Sequence, residues 1–318
     1  MAGDGVASGK PPADAAADGF VVVDKPGGMT SHDVVARLRR LARTRRVGHA
    51  GTLDPMATGV LVIGVGRATR LLPYAAGHGK AYRGTVRLGQ TTVTDDAEGE
   101  VTAAHHAGHL RPEEITRALA RFQGEIAQVP SAVSAIKVKG VRSYARVRRG
   151  EQVDLAARAV TIERLELLAV SYAASSPEGG SNDVIDVDIE MECSAGTYVR
   201  SLARDLGAVL GVGGHLVALR RTAVGGFTIE EAVPLDTLLA ADSPVGLIPL
   251  SDVAARLFDR CDVDDERAGV LSHGGPLPAQ GRPGPYAVFA PDGRVVAVVS
   301  ERDGMARAEV VLAPSGGD

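Results

Sequence analysis

The segment Gly48-His49-Ala50-Gly51-Thr52-Leu53-Asp54-Pro55-Met56-Ala57-Thr58-Gly59 sets one carboxylate on a loop of tightly constrained shape. Three glycines permit unusual backbone angles or close approaches, and Pro55 fixes its own φ while biasing Asp54 away from helix. A carboxylate held in such a loop can serve as a base or a nucleophile. Taken alone, an Asp-Pro pair commonly marks only a turn.

Other chemistry-bearing groups are weaker. Gly64-Val65-Gly66 follows an apolar run, as a dinucleotide loop does, but lacks the third glycine and an acidic residue in the right setting. His105, His106 and His109 lie in a polar stretch without carboxylates or thiols at ligand spacing. Asp95, Asp96, Glu98 and Glu100 surround Gly99 as in a turn between strands, with too few oxygen ligands for a cation loop. Cys193 and Cys261 give neither a disulfide framework nor a zinc pair and read as reduced core thiols. No metal and no cofactor are expected.

The charge is uneven. Arg37, Arg39, Arg40, Arg43, Arg45 and Arg46 form one block without acids, and Lys137, Lys139, Arg142, Arg146, Arg148 and Arg149 form a second. The chain totals −4, so outside these twelve residues the remainder carries −16. Two basic blocks in an acidic chain suit phosphate docking, because each neutralised phosphate releases condensed counterions; two solvated faces are the plainer reading. Residues 1–19 are small, polar and acidic, unlike a secretory signal, and no run approaches eighteen apolar residues, so a cytoplasmic location and no membrane contact are expected.

The elements that must hold Asp54 follow from periodicity. Phe20 to Asp24 reads as a buried strand, Lys25-Pro26-Gly27-Gly28 as a turn, and Thr30 or Ser31 as the N-cap of a helix carrying Val34, Val35, Leu38 and Leu41. Val60 to Val65 is a short apolar strand. From Ala81 to Leu88 the pattern alternates, with Tyr82, Gly84, Val86 and Leu88 on one face. Pro112 to Phe122 has helical start and stop signals. Asp183 to Met191 alternates as an antiparallel strand, and Gly196-Thr197 opens a helix to about Leu210 with Tyr198, Leu202, Leu206 and Val209 as its apolar face. Tyr286 to Ala290 and Arg294 to Val299 form a hairpin around Pro291-Asp292-Gly293. Strands and helices mix without a β-α-β rhythm, so the class is α+β with a mixed, mainly antiparallel sheet. The expected division is a disordered tail at 1–19, a catalytic body at 20–243 with an insertion near 100–150, and a small β-barrel-like domain at 244–318.

The whole string from Gly48 to Gly59 resembles the catalytic loop of the TruB-type pseudouridine synthases, bacterial stand-alone enzymes that act on the T-loop uridine of tRNA, uridine 55. The resemblance runs from about residue 20 to 230. Val23-Asp24-Lys25-Pro26-Gly27-Gly28-Met29-Thr30-Ser31-His32-Asp33 resembles the family's lysine-proline opening. Lys80-Ala81-Tyr82-Arg83 with Leu88-Gly89-Gln90 is similar to its tyrosine motif, and Ser134-Ala135-Ile136-Lys137 with Gly140 and Tyr144 to its next block. Gly196-Thr197-Tyr198-Val199-Arg200 is similar to its arginine motif, and Leu219-Arg220-Arg221-Thr222 also fits. Val93 stands where the family usually has aspartate, and Pro130-Ser131 where it usually has two prolines.

This resemblance implies base flipping and isomerisation with Asp54 as catalytic carboxylate, Arg200 as its ion-pair partner and Tyr82 stacked on the base. It implies that His49 fills the gap left by the flipped base, that Lys25 supports the loop or meets RNA, and that Leu219 packs on the base. Arg200 in the first turn of a helix suits that role, since the macrodipole disfavours a cation there unless an anion faces it. The implied partner is the tRNA T stem-loop, with no obligatory protein partner. A non-catalytic RNA chaperone would use the same grooves but needs neither Asp54 nor Arg200; a guide-RNA-dependent relative would not need the basic insertion.

Overall fold

The computed structural model describes residues 18–131, 137–138, 141–142, 155–174, 183–241 and 246–313. Residues 1–17 of the expected tail and most of the second basic block lie outside the described residues.

The strand Gly19–Lys25 is apolar without alternation because both of its faces are covered. Val21 and Val23 join the core under the helices Ser31–Leu41 and Val199–Leu210. Phe20 and Val22 join a second core shared with Ala287, Phe289, Val295 and Val298 of the C-terminal region. Each of these valine and phenylalanine side chains contributes about 1.5–3 kcal/mol on burial. Thr30 caps the first helix as expected, in a reciprocal box with Asp33.

The large sheet runs in the order Val233–Pro234, Gly19–Lys25, Thr58–Val65, Gly214–Val224, Lys80–Leu88, Asp183–Cys193, Arg158–Ala174, Gly124–Gln128. Two neighbouring pairs are parallel, Gly19–Lys25 with Val233–Pro234 and Thr58–Val65 with Gly214–Val224. The other neighbouring pairs along this path are antiparallel, so the sheet is mixed and mainly antiparallel. In Lys80–Leu88 and Asp183–Cys193 the alternation has its usual meaning. Tyr82, Val86, Ile185, Val187 and Ile189 face the helices. The opposite residues form a cross-strand ladder in register: Arg83 with Glu190 at 2.7 Å, Thr85 with Asp188, and Arg87 with Asp186 through two bonds of 2.8 and 2.7 Å.

A smaller sheet orders Arg260–Asp262, Tyr286–Phe289, Val295–Arg302, Met305–Val311 and Leu277–Pro278 and curls as a half-barrel. The expected hairpin is present, with Tyr286 opposite Val299. Met305–Val311 adds a third strand beyond it.

The helix expected from Gly196 starts later, at Val199. Tyr198 is extended (φ −108°, ψ 109°) because its N–H donates to Gln128 Oε1 (2.8 Å) and its carbonyl accepts from Gln128 Nε2 (3.1 Å). The buried face also differs. Val199, Leu202, Ala203 and Leu206 pack inward, while Val209 is exposed.

Candidate active site

The loop carrying Asp54 is tied down from three sides. Ser31 Oγ accepts from the Leu53 N–H (2.9 Å) and donates to the Leu53 carbonyl (3.2 Å). Lys25, fully buried, donates to the carbonyls of Pro26 (2.9 Å), Met29 (2.7 Å) and Pro55 (3.2 Å). Arg221, 1% exposed, donates from Nε to Val60 O (2.8 Å), from Nη2 to Gly51 O (3.0 Å) and from Nη1 to Thr52 O (3.4 Å). Gly59 takes φ +95°, and a Cβ there would overlap the Arg221 carbonyl, so glycine is required where the strands cross this closely. Asp54 is thereby presented with its side chain 36% exposed.

Arg200 reaches Asp54 through a hydrogen bond from Nη2 to Oδ1 at 3.2 Å, and its Nε lies 3.0 Å from Oδ2, an ion-pair contact between guanidinium and carboxylate. The arginine is 6% exposed, so it needs more than one acceptor. Its Nη1 donates to Thr94 O (3.1 Å) and lies 3.4 Å from Asp96 Oδ2. Asp96 is buried and accepts from the Glu98 N–H (3.1 Å). The stretch read from sequence as a simple turn is therefore a turn that holds a cation, and the cation is a side chain. The strand Gly214–Val224 fixes it, with Leu216 N–H on Asp95 O (3.0 Å) and Ala97 N–H on Leu216 O (2.9 Å).

Asp54, Arg200, Tyr82 and Leu219 line one cavity of about 290 Å³, together with Lys80, Tyr198 and Arg221. Tyr82 is 6% exposed; burial raises its phenol pKa, and Arg221 opposes that shift. Lys80 donates to the carbonyls of Ala76 and His78, both at 3.0 Å. Burial lowers its pKa, and Arg221 lowers it further. Lys25 and His49 stand outside the lining. Burial likewise lowers the Lys25 pKa, against the pull of Asp54. His49 lies edge-on to His32 with ring centroids 5.4 Å apart, and its pKa is lowered by burial, then by His32 and Arg221.

Three cations and one carboxylate among the lining residues give the cavity a formal charge of +2. Among the described residues no group of three or more His, Cys, Asp or Glu side chains is placed to hold a metal.

Sequence reasoning gave no role to Asp96, Lys80 or Arg221. A signal for two of them was present: at a period of two, Lys80 shares the face of Tyr82, and Arg221 that of Leu219.

The sheet that carries this carboxylate, arginine and tyrosine has solved counterparts. The chain is similar to the solved structure of a Cbf5–Nop10–Gar1 complex, with TM-score 0.69 at 24% identity, covering 93% of this chain and 85% of that one. It is also similar to an H/ACA RNP bound to a substrate RNA containing 2′-deoxyuridine, with TM-score 0.67 at 23% identity over 93% of this chain and 85% of that one.

Family descriptions match along the sequence: TruB family pseudouridylate synthase (N terminal domain) at residues 39–199, tRNA pseudouridylate synthase B C-terminal domain at 200–244, and tRNA Pseudouridine synthase II, C terminal, at 258–313. The chain is 51% identical over 306 residues to tRNA pseudouridine synthase B of Arthrobacter sp. (93% of this chain, 97% of the relative) and 53% identical over 296 residues to that of Mycobacterium leprae (93% and 91%). The chain belongs to the TruB family of pseudouridylate synthases.

Proposed function

We propose that this enzyme converts uridine to pseudouridine in the T loop of tRNA, at position 55, acting in the cytoplasm without guide RNA or protein partner. The observation that carries the reading is the Asp54–Arg200 ion pair at the wall of a cavity that also presents Tyr82 and Leu219. A uracil inside a folded loop is reached only by flipping its nucleotide out, at a cost of a few kcal/mol. Stacking on Tyr82 and packing on Leu219 offset that cost, since base–aromatic stacking contributes about 1–3 kcal/mol. His49 fills the space the base leaves. Lys25 fixes the loop through the Pro55 carbonyl.

Uridine and pseudouridine are isomers, so the reaction balances without a co-reactant. Asp54 assists cleavage of the C1′–N1 bond and holds the system while the uracil rotates; C5 then bonds to C1′, Tyr82 aids loss of the C5 proton, and N1 gains one. Arg200 pairs with Asp54 and fixes the direction in which its carboxylate faces the cavity. The exposed arginines between residues 37 and 46 meet the RNA backbone. The region from 244 onward acts as an accessory RNA grip.

The test is tritium release from tRNA transcript labelled at uracil C5, for wild type and Asp54→Asn, with binding of both followed by filter retention. Release is expected to fall at least about 1000-fold in the variant while RNA retention persists. A wild-type protein that binds the transcript tightly and releases no tritium would falsify the reading and leave a binding protein in its place.

A further inference from the structure

The cavity is neutralised on one side only. Arg200 faces two carboxylates, Asp54 and Asp96. Lys80 and Arg221 are held by backbone carbonyls, and among the described residues neither has a carboxylate partner. Holding a buried guanidinium and a half-buried ammonium side by side without a counter-ion is costly, and that cost falls when an anion enters.

Two anions are available in this chemistry, a backbone phosphate and the base itself at the moment it leaves the ribose. Depth separates them. Phosphates stay with the RNA strand outside the cavity, and none of the exposed arginines of residues 37 to 46 is among its lining residues. Arg221 and Tyr82, at 1% and 6% exposure, belong to the inner wall, and the base is the part of the nucleotide that travels furthest inward.

We infer that Lys80 is a catalytic residue of this reaction, its ammonium stabilising the uracil anion, with Arg221 behind it as a fixed positive charge. The inference rests on the isomerase reading above. When the C1′–N1 bond breaks, its electron pair leaves with N1 and the charge spreads to O2 and O4. An ammonium has three N–H donors. Two of Lys80's go to Ala76 O and His78 O, which aim the group, and the third is left for a uracil oxygen. Lys80 keeps its proton throughout. The charge disappears when C5 returns an electron pair to C1′, C5 loses its proton and N1 gains one.

A plainer role exists: Lys80 caps the short helix Leu72–Gly77 and nothing more. Substrates with different leaving groups separate the two. Lys80→Gln retains an N–H donor for the carbonyls but no charge, and 5-fluorouracil, a stronger acid than uracil, needs less help as an anion. Single-turnover conversion is measured on tRNA transcripts carrying uridine or 5-fluorouridine, with the rearranged nucleotide separated after digestion. Lys80→Gln is expected to slow uridine conversion about 100-fold and 5-fluorouridine conversion about tenfold or less, with unchanged unfolding midpoint and RNA retention. Lys80→Arg, which keeps the charge, is expected to recover most of the uridine rate.

Equal losses on both substrates, no loss on either, or Lys80→Arg as slow as Lys80→Gln would overturn the assignment. Lys80→Arg also keeps the test decisive should the glutamine variant not fold. A wild-type protein without turnover would instead refute the isomerase reading beneath it.

Discussion

Arg200 and Arg221 stand at the wall of one cavity, both buried, and they are held in opposite ways. Arg200 faces Asp54 and Asp96. Arg221 faces the carbonyls of Gly51, Thr52 and Val60. The first arrangement holds the carboxylate of a reacting group in place, and the second sets the path of the loop that carries it. Removing each should therefore damage a different property.

The largest effect is expected on the charged side. Arg200→Met leaves Asp54 and Asp96 without their shared cation, so tritium release should fall about 1000-fold, about 4 kcal/mol of barrier. An unchanged rate would break the comparison, since Arg200 would then be only a structural clamp.

Arg221→Met should act on stability first. The buried Val60 carbonyl and the part-buried carbonyls of Gly51 and Thr52 lose their donor, and a buried unpaired acceptor costs about 1–3 kcal/mol, so urea unfolding should report a loss of about 3 kcal/mol. A variant as stable as wild type would show that the loop keeps its path without the guanidinium.

Asp96→Asn sharpens the contrast within the charged side. Asp54 keeps its partner, but the guanidinium loses its second carboxylate and some of its aim; a rate loss of about 30-fold with unchanged RNA binding is expected. Loss of binding with an intact rate would place Asp96 in RNA recognition instead.

The smallest effect concerns protons. Burial lowers the pKa of both His49 and His215 from 6.5, so the unfolded chain takes up these protons first as pH falls. Their contribution is complete above pH 6.5 and is lost as pH falls below it toward the folded values. His49→Gln should flatten the stability–pH curve in that window, measured by denaturant midpoints from pH 7.5 to 5.

Local pattern in the sequence carried much of the fold. The two-residue period of Lys80–Leu88 and Asp183–Cys193 reports a sheet with one covered face, and Thr30 with Asp33 marks a helix start. The pairing of Asp54 with Arg200 came from family resemblance, because 146 residues separate them and no local pattern links them. Asp96 was hidden for the same reason: an acidic turn looks solvated until the helix bearing Arg200 is laid against it. The start of that helix was misplaced because Gln128, 70 residues away, holds Tyr198 extended. Long-range hydrogen bonds of this kind leave no trace in periodicity.

The strand Gly214–Val224 sits between Thr58–Val65 and Lys80–Leu88, both made long before it during synthesis. A nascent chain that has left the ribosome only as far as Leu210 already contains Asp54, Asp96 and Arg200. It lacks the strand that joins the two halves of the sheet, and with it the Leu219 and Arg221 wall of the cavity. Competence thus arrives late in translation and all at once, and a product terminated before Val224 should be inert toward RNA rather than partly active.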